Sequence, residues 1–186
     1  MKRTLVIVAH PHLASSNVNR CWINKLNQYN EQITLHDLYS HYPTFKIDPS
    51  FEQSLIENHQ NLVLQFPIYW FNCPPLLKQW LDEVFTYGWA YGTDGNKLKN
   101  KKVGLAVSAG IKKSDYSKNG RYKLSLEEIL KPFELTMNYV KADFQKIFAV
   151  YGANNEPNYQ DKITLNDINQ SADNYVDWMK KLGMLI

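Results

Sequence analysis

Four stretches of this chain are almost uninterruptedly apolar, and each stops at a turn-forming segment. Leu5-Val6-Ile7-Val8-Ala9 ends at His10-Pro11-His12, and Leu62-Val63-Leu64-Gln65-Phe66 ends at Pro67. Val103-Gly104-Leu105-Ala106-Val107 runs into Ser108-Ala109-Gly110, and Ile147-Phe148-Ala149-Val150-Tyr151 ends at Gly152. Strands buried on both faces have this pattern, and such strands belong to parallel sheets covered by helices. A fifth stretch, Ile33 to Leu38, alternates apolar and polar residues as a strand nearer the sheet edge does. Helical spacing fills the intervals. Val18, Trp22 and Leu26 lie four apart. Leu77, Leu81 and Val84 form a stripe with Trp80 and Phe85 beside it, just after Pro74-Pro75. Ser125 with Glu128 has the form of a capping box ahead of Ile129, Leu130, Phe133, Met137 and Val140, so Pro132 predicts a kink or a later helix start. A last amphipathic helix opens at Thr164–Asp167. Strand and helix alternating throughout predict an α/β protein with a doubly wound parallel sheet, and residues 1–186 read as a single domain.

Composition narrows the possibilities. With 21 Lys+Arg against 18 Asp+Glu, a formal charge of +3 gives no basis for a nucleic-acid or membrane partner. Two cysteines, Cys21 and Cys73, build no disulfide framework and point to a reducing compartment. The apolar run after Met1-Lys2-Arg3 is too short for a signal peptide, which leads us to expect a cytoplasmic protein. Aromatic residues are the excess: 13% of the chain, with nine rings between Phe66 and Tyr91.

Ligands of doubly wound sheets bind beyond the carboxyl ends of the strands. The segment after the first strand, His10 to Asn19, leads into a helix N-terminus, where unpaired N–H groups and Ser15, Ser16, Asn17 and Asn19 suit an anion such as phosphate. Capping of that helix by a serine explains part of the same pattern. His10-Pro11-His12 lacks the carboxylate or thiolate partners of a metal site. After the third strand, Phe66-Pro67-Ile68-Tyr69-Trp70-Phe71-Asn72 places three successive rings in a loop, which suits a flat aromatic ligand or a covered sheet end. After the fourth strand, Ser108-Ala109-Gly110 permits close backbone approach. No Gly-x-Gly-x-x-Gly, P-loop or Gly-x-Ser-x-Gly elbow is present.

Together these segments resemble the flavodoxin-like NAD(P)H:quinone oxidoreductases, close to the short bacterial members that include ancillary subunits of glutathione-gated potassium-efflux systems. The resemblance is carried by Gln65 through Trp80, by Phe85, by Gly88-Trp89-Ala90-Tyr91-Gly92, and by His10-Pro11 with Ser16 and Asn19. It implies a five-stranded sheet in the order 2-1-3-4-5 holding FMN noncovalently; FAD belongs to larger relatives with an added C-terminal segment. His10 with Ser16, Asn17, Val18 and Asn19 would hold the flavin phosphate. Pro67, Ile68, Tyr69, Trp70 and Phe71 would bracket the ring, and Ser108, Ala109 and Gly110 with Tyr116 would close the other side. Tyr116 is the catalytic candidate, as a donor to the ring or to a bound quinone oxygen. Tyr122 stands where larger relatives carry a histidine. The implied reaction is ping-pong hydride transfer from NADPH or NADH through the flavin to a quinone or another flat acceptor. The family also implies a homodimer, with Tyr91 and Trp89 toward the neighbouring subunit, and a potassium-efflux channel as a second partner. A one-electron flavodoxin fits less well, being typically acidic with a Thr/Ser-Gly-rich phosphate loop. Lys112, Lys113 and Arg121 are placed to meet a 2′-phosphate of NADPH.

Overall fold

In the computed structural model, which describes residues 3–154, 156 and 158–186, the first apolar run is β1 (Thr4–Val8). The charged start at Met1 and Lys2 lies outside the described residues. β2 (Ile33–Asp37) and β3 (Asn61–Pro67) flank β1, and β4 (Lys102–Ser108) pairs with β3, all in parallel. The expected fifth strand is divided into β5 (Asp143–Phe144) and β6 (Phe148–Val150), both paired to β4 in parallel. Between the two pieces the Lys146 carbonyl accepts from Trp178 Nε1 at 2.9 Å, a contact with α7 (Leu165–Lys181). The order is therefore 2-1-3-4-5, with the fifth position in two pieces.

Successive side chains of a strand point to opposite faces. Leu5 and Ile7 join one core and Val6 and Val8 the other. The Val6 side is covered by α1 (Asn17–Leu26) and α7 (Leu165–Lys181), where Trp22 is fully buried and donates from Nε1 to Ser171 Oγ at 2.8 Å. The Leu5 side is covered by α2 (Leu38–His41), α3 (Pro49–Glu57), α4 (Pro75–Val84), α5 (Leu126–Ile129) and α6 (Lys131–Tyr139). α4 buries Leu76, Leu77, Trp80, Leu81 and Val84, and each side chain taken fully from water contributes about 1.5–3 kcal/mol. Pro132 starts α6 afresh one residue after α5 ends, because its ring leaves no N–H for a continuous helix.

α2 and α3 carry no strong apolar spacing and escape the sequence reading. α3 is opened instead by Asp48, whose side chain accepts from the Phe51 N–H, and by Pro49 in the first turn. It buries Glu52 completely, between His36 Nε2 at 2.8 Å, Tyr42 Oη at 2.6 Å and Trp80 Nε1 at 2.7 Å. No described helix is long and apolar enough to cross a membrane.

Candidate functional site

Beyond the carboxyl ends of β1, β3 and β4 the protein encloses a cavity of about 350 Å³. Its floor is the turn from β1 into α1. The Ser16 hydroxyl caps α1 by accepting from the Asn19 N–H at 3.2 Å, so the cap expected of a serine is present and the first-turn N–H groups open toward the cavity. The His12 N–H donates to His10 Nδ1 at 3.1 Å, which places the proton of the neutral ring on Nε2. Burial, helped by nearby His12 and opposed by Asp37, holds the His10 pKa down at about 4. His10 therefore faces the cavity as an uncharged donor at neutral pH.

Asn19 is buried beneath this floor. Its Nδ2 donates to Ser108 Oγ at 2.9 Å, and its Oδ1 accepts from Gln65 Nε2 at 3.3 Å. One side chain thus ties the α1 turn to β3 and β4. The second wall follows β3: the Ile68 N–H donates to the Ser108 carbonyl at 2.8 Å, and Tyr69 and Asn72 exchange backbone hydrogen bonds at 2.8 and 2.9 Å. Trp70 and Phe71 form the two-residue link, with φ of 48° and 61°. Positive φ at both central positions is the type I′ pattern, which favours Asn-Gly, and a side chain there costs about 1–2 kcal/mol per residue. Trp70 is 95% exposed, and Phe71 meets Tyr122 edge-on at 4.9 Å. Strain kept for two projecting rings points to a contact that those rings make with something else. Replacing Trp70-Phe71 by Asn-Gly is expected to raise the unfolding midpoint by about 2–4 °C for each kcal/mol of strain released, while weakening whatever the rings hold. Thermal melts and ligand titration of the double variant check both halves.

Of the residues singled out from the sequence, His10, Ser16, Asn17, Val18, Pro67, Ile68, Tyr69, Ser108 and Gly110 line the cavity together. Asn19 and Ala109 are buried behind it, and Trp70 and Phe71 stand out beside it. Tyr116 does not line the cavity; it is 7% exposed among tilted rings, 5.1 Å from Tyr122 and 5.5 Å from Tyr151. Burial and the neighbouring tyrosines push its pKa up to about 12, so its phenol keeps its proton. Lys112 pairs with Asp161 at 3.0 Å, and Arg121 lies over the Tyr122 ring at 5.8 Å. Trp89 turns inward and donates to Glu57 Oε1 at 2.7 Å, so it is held by its own chain, while Tyr91 packs against Tyr87 and Tyr139. The sequence reading missed the far wall, Ala153, Asn154, Lys162, Ile163 and Ile168, which the approach to α7 supplies. Gly152 after the last strand and the Thr164–Asp167 capping box were its only local signs.

Fold and cavity define a doubly wound α/β protein with a pocket at its strand ends lined by hydrogen-bond donors. The chain belongs to the flavodoxin-like fold family, whose sequence model matches residues 2–174. It is 45% identical to the uncharacterized NAD(P)H oxidoreductase YrkL of Bacillus subtilis, covering 96% of this chain and 98% of that one. It is 38% identical to the glutathione-regulated potassium-efflux ancillary protein KefG of Cronobacter sakazakii, over 81% and 82%. Among solved structures, general stress protein 14 of Treponema denticola, in complex with FMN, superposes with a TM-score of 0.90 at 46% identity, over 97% and 99%. An NADPH-quinone reductase of P. pentosaceus gives 0.77 at 31% identity, over 93% and 96%.

Proposed function

We propose that the protein is an FMN-dependent NAD(P)H:quinone oxidoreductase, taking hydride from NADPH or NADH and passing it to a quinone or similar flat acceptor at the same site in a ping-pong cycle. The chain is a flavin oxidoreductase by its relatives and its fold. The observation that carries the finer reading is an anion-suited floor continued by aromatic and small residues in one cavity. Every polar group named on the floor can donate, and Pro67–Tyr69 and Ser108 with Gly110, side by side at the paired ends of β3 and β4, line the same cavity. His10 Nε2, the Ser16 turn and the N–H groups of Asn17 and Val18 would hold the phosphate. Pro67 to Phe71 would frame one side of the ring, and Ser108 to Gly110 the other. The flavin supplies the hydride-accepting and hydride-donating chemistry. With the Ile68 N–H given to Ser108 and the Tyr69 N–H to Asn72, the Trp70 and Phe71 N–H groups are the ones of the 67–71 loop that would stabilise negative charge at the ring edge, fixed in place by the hairpin. Tyr116, kept protonated by burial, is the proposed donor to the ring or to the acceptor oxygen.

Purified protein reconstituted with FMN is expected to be yellow and to oxidise NADPH with a model quinone, giving parallel lines in double-reciprocal plots. Tyr116→Phe should lower kcat/KM for the acceptor about ten-fold, the worth of one hydrogen bond in the transition state; an equal loss of FMN affinity would place that hydrogen bond on the ring. Protein that stays colourless with both FMN and FAD rules the reading out.

Similarity to KefG supports a second reading, in which a membrane potassium-efflux channel is the partner and redox activity serves its regulation. Co-sedimentation with channel-containing membranes, lost in channel-free ones, is its test. We further propose a homodimer in the cytoplasm. Exposed Tyr87 and Tyr139, grouped around Tyr91, are the surface that supports it.

A further inference from the structure

The donors on the cavity floor share a limitation. A flavin phosphate carries a charge of about −1.5 to −2 at neutral pH. A helix N-terminus offsets roughly half a unit, and serine hydroxyls and an uncharged His10 offset none. A fixed positive charge beside those donors would strengthen the hold on such an anion. Among the described residues lining the cavity, Lys162 is the one with a permanently charged side chain.

Its setting keeps that charge available. The two carboxylates nearest in sequence are both engaged elsewhere. Asp161 pairs with Lys112 at 3.0 Å, and Asp167 Oδ2 accepts from Thr164 Oγ1 at 2.6 Å. Lys162 has no ion pair with a described residue. Its segment is also held in place. The Ile163 N–H donates to the Gly152 carbonyl at 3.0 Å, and the Gly152 N–H donates to Ile111 at 3.1 Å. Gly152 has φ of 74°, and a Cβ there would stand 2.6 Å from the Asp161 carbonyl oxygen, so only glycine lets this backbone pack so closely on the strand end. A surface lysine on a free loop needs none of this.

We infer that Lys162 is a specificity residue for the phosphate of the flavin, adding its charge to the floor donors and widening the site's preference for FMN over unphosphorylated riboflavin. The inference rests on the flavin reading above.

The test is fluorescence titration of apoprotein with FMN and with riboflavin, for wild type, Lys162→Gln, Lys162→Arg and Gly152→Ala. Lys162→Gln should weaken FMN about ten-fold, equal to about 1.4 kcal/mol, and leave riboflavin unchanged. Lys162→Arg should keep most of the preference, and Gly152→Ala should lose part of it. FMN affinity should fall with added salt less steeply in Lys162→Gln than in wild type, since one ionic contact is gone. Equal shifts for both flavins, or no shift for FMN, would overturn the inference while leaving the flavin reading intact. Wild type that binds neither flavin overturns the flavin reading itself and the inference with it.

Discussion

Glu52→Ala is expected to lower stability by about 3–5 kcal/mol, a fall in the unfolding midpoint on the order of 10 °C for a chain of this size. The carboxylate is completely buried and is the shared acceptor for His36, Tyr42 and Trp80, so its removal strands three donors in the core at once. Burial alone would raise its pKa, but the hydrogen bonds from His36 and Tyr42 outweigh that and hold it below the usual carboxylate range. A depressed folded-state value means that this group stabilises the fold above the ordinary glutamate range, and that the contribution disappears as pH falls through the folded value. Wild type should therefore lose stability on acidification more steeply than Glu52→Ala. Thermal melts between pH 7 and pH 3 measure both effects, and equal slopes would show that the carboxylate is not the linked group.

Asn19→Ala should do its damage at the site rather than in the core. It removes the donor to Ser108 and the acceptor for Gln65, both buried, at a cost of about 1–3 kcal/mol. The larger consequence is positional. With the knot gone, the turn into α1 and the end of β4 are no longer fixed to each other, and displacement of catalytic or binding groups by about 1 Å can cost about 100-fold. FMN affinity is expected to fall by about 10- to 100-fold at a temperature where the variant is still fully folded by circular dichroism. Unchanged affinity under those conditions would mean that Ser16 and its neighbours hold their places without Asn19.

How far the chain could be read in advance depended on what each segment faces. β1, β3 and β4 are covered on both sides, so their runs are apolar but for the buried Gln65 of β3, and the ligand segments that follow are found by where those runs stop. The fifth position was harder, because its strands pair only with β4 and a short pairing with one neighbour leaves room for the interruption at Lys146. α3 was missed for a different reason. Its central core residue is Glu52, and a carboxylate counts as solvent-facing in any hydrophobic pattern until its three partners, from three separate elements, are known. The same holds for the far wall of the cavity. Lys162 is one of many lysines in the sequence, and only folding brings it opposite residues that lie about a hundred and fifty positions earlier. Tyr116 was legible as a candidate, whereas its enclosure among Tyr122 and Tyr151 was not, since aromatic stacking leaves no spacing rule in a loop.

Cys73 follows directly on the strained hairpin, with its backbone N–H donating to Asn72 Oδ1 at 2.8 Å. Burial pushes its thiol up to about 11, against a small opposing effect of its own backbone hydrogen bond. At neutral pH roughly one molecule in ten thousand then carries a thiolate there, and the thiolate is the nucleophile. Quinones are electrophiles that alkylate thiolates. On the proposed function, quinones would pass beside Trp70 and Phe71, and a buried, protonated Cys73 in the next turn of chain would react with them slowly, so the fold of that loop would spare the protein from its own acceptor.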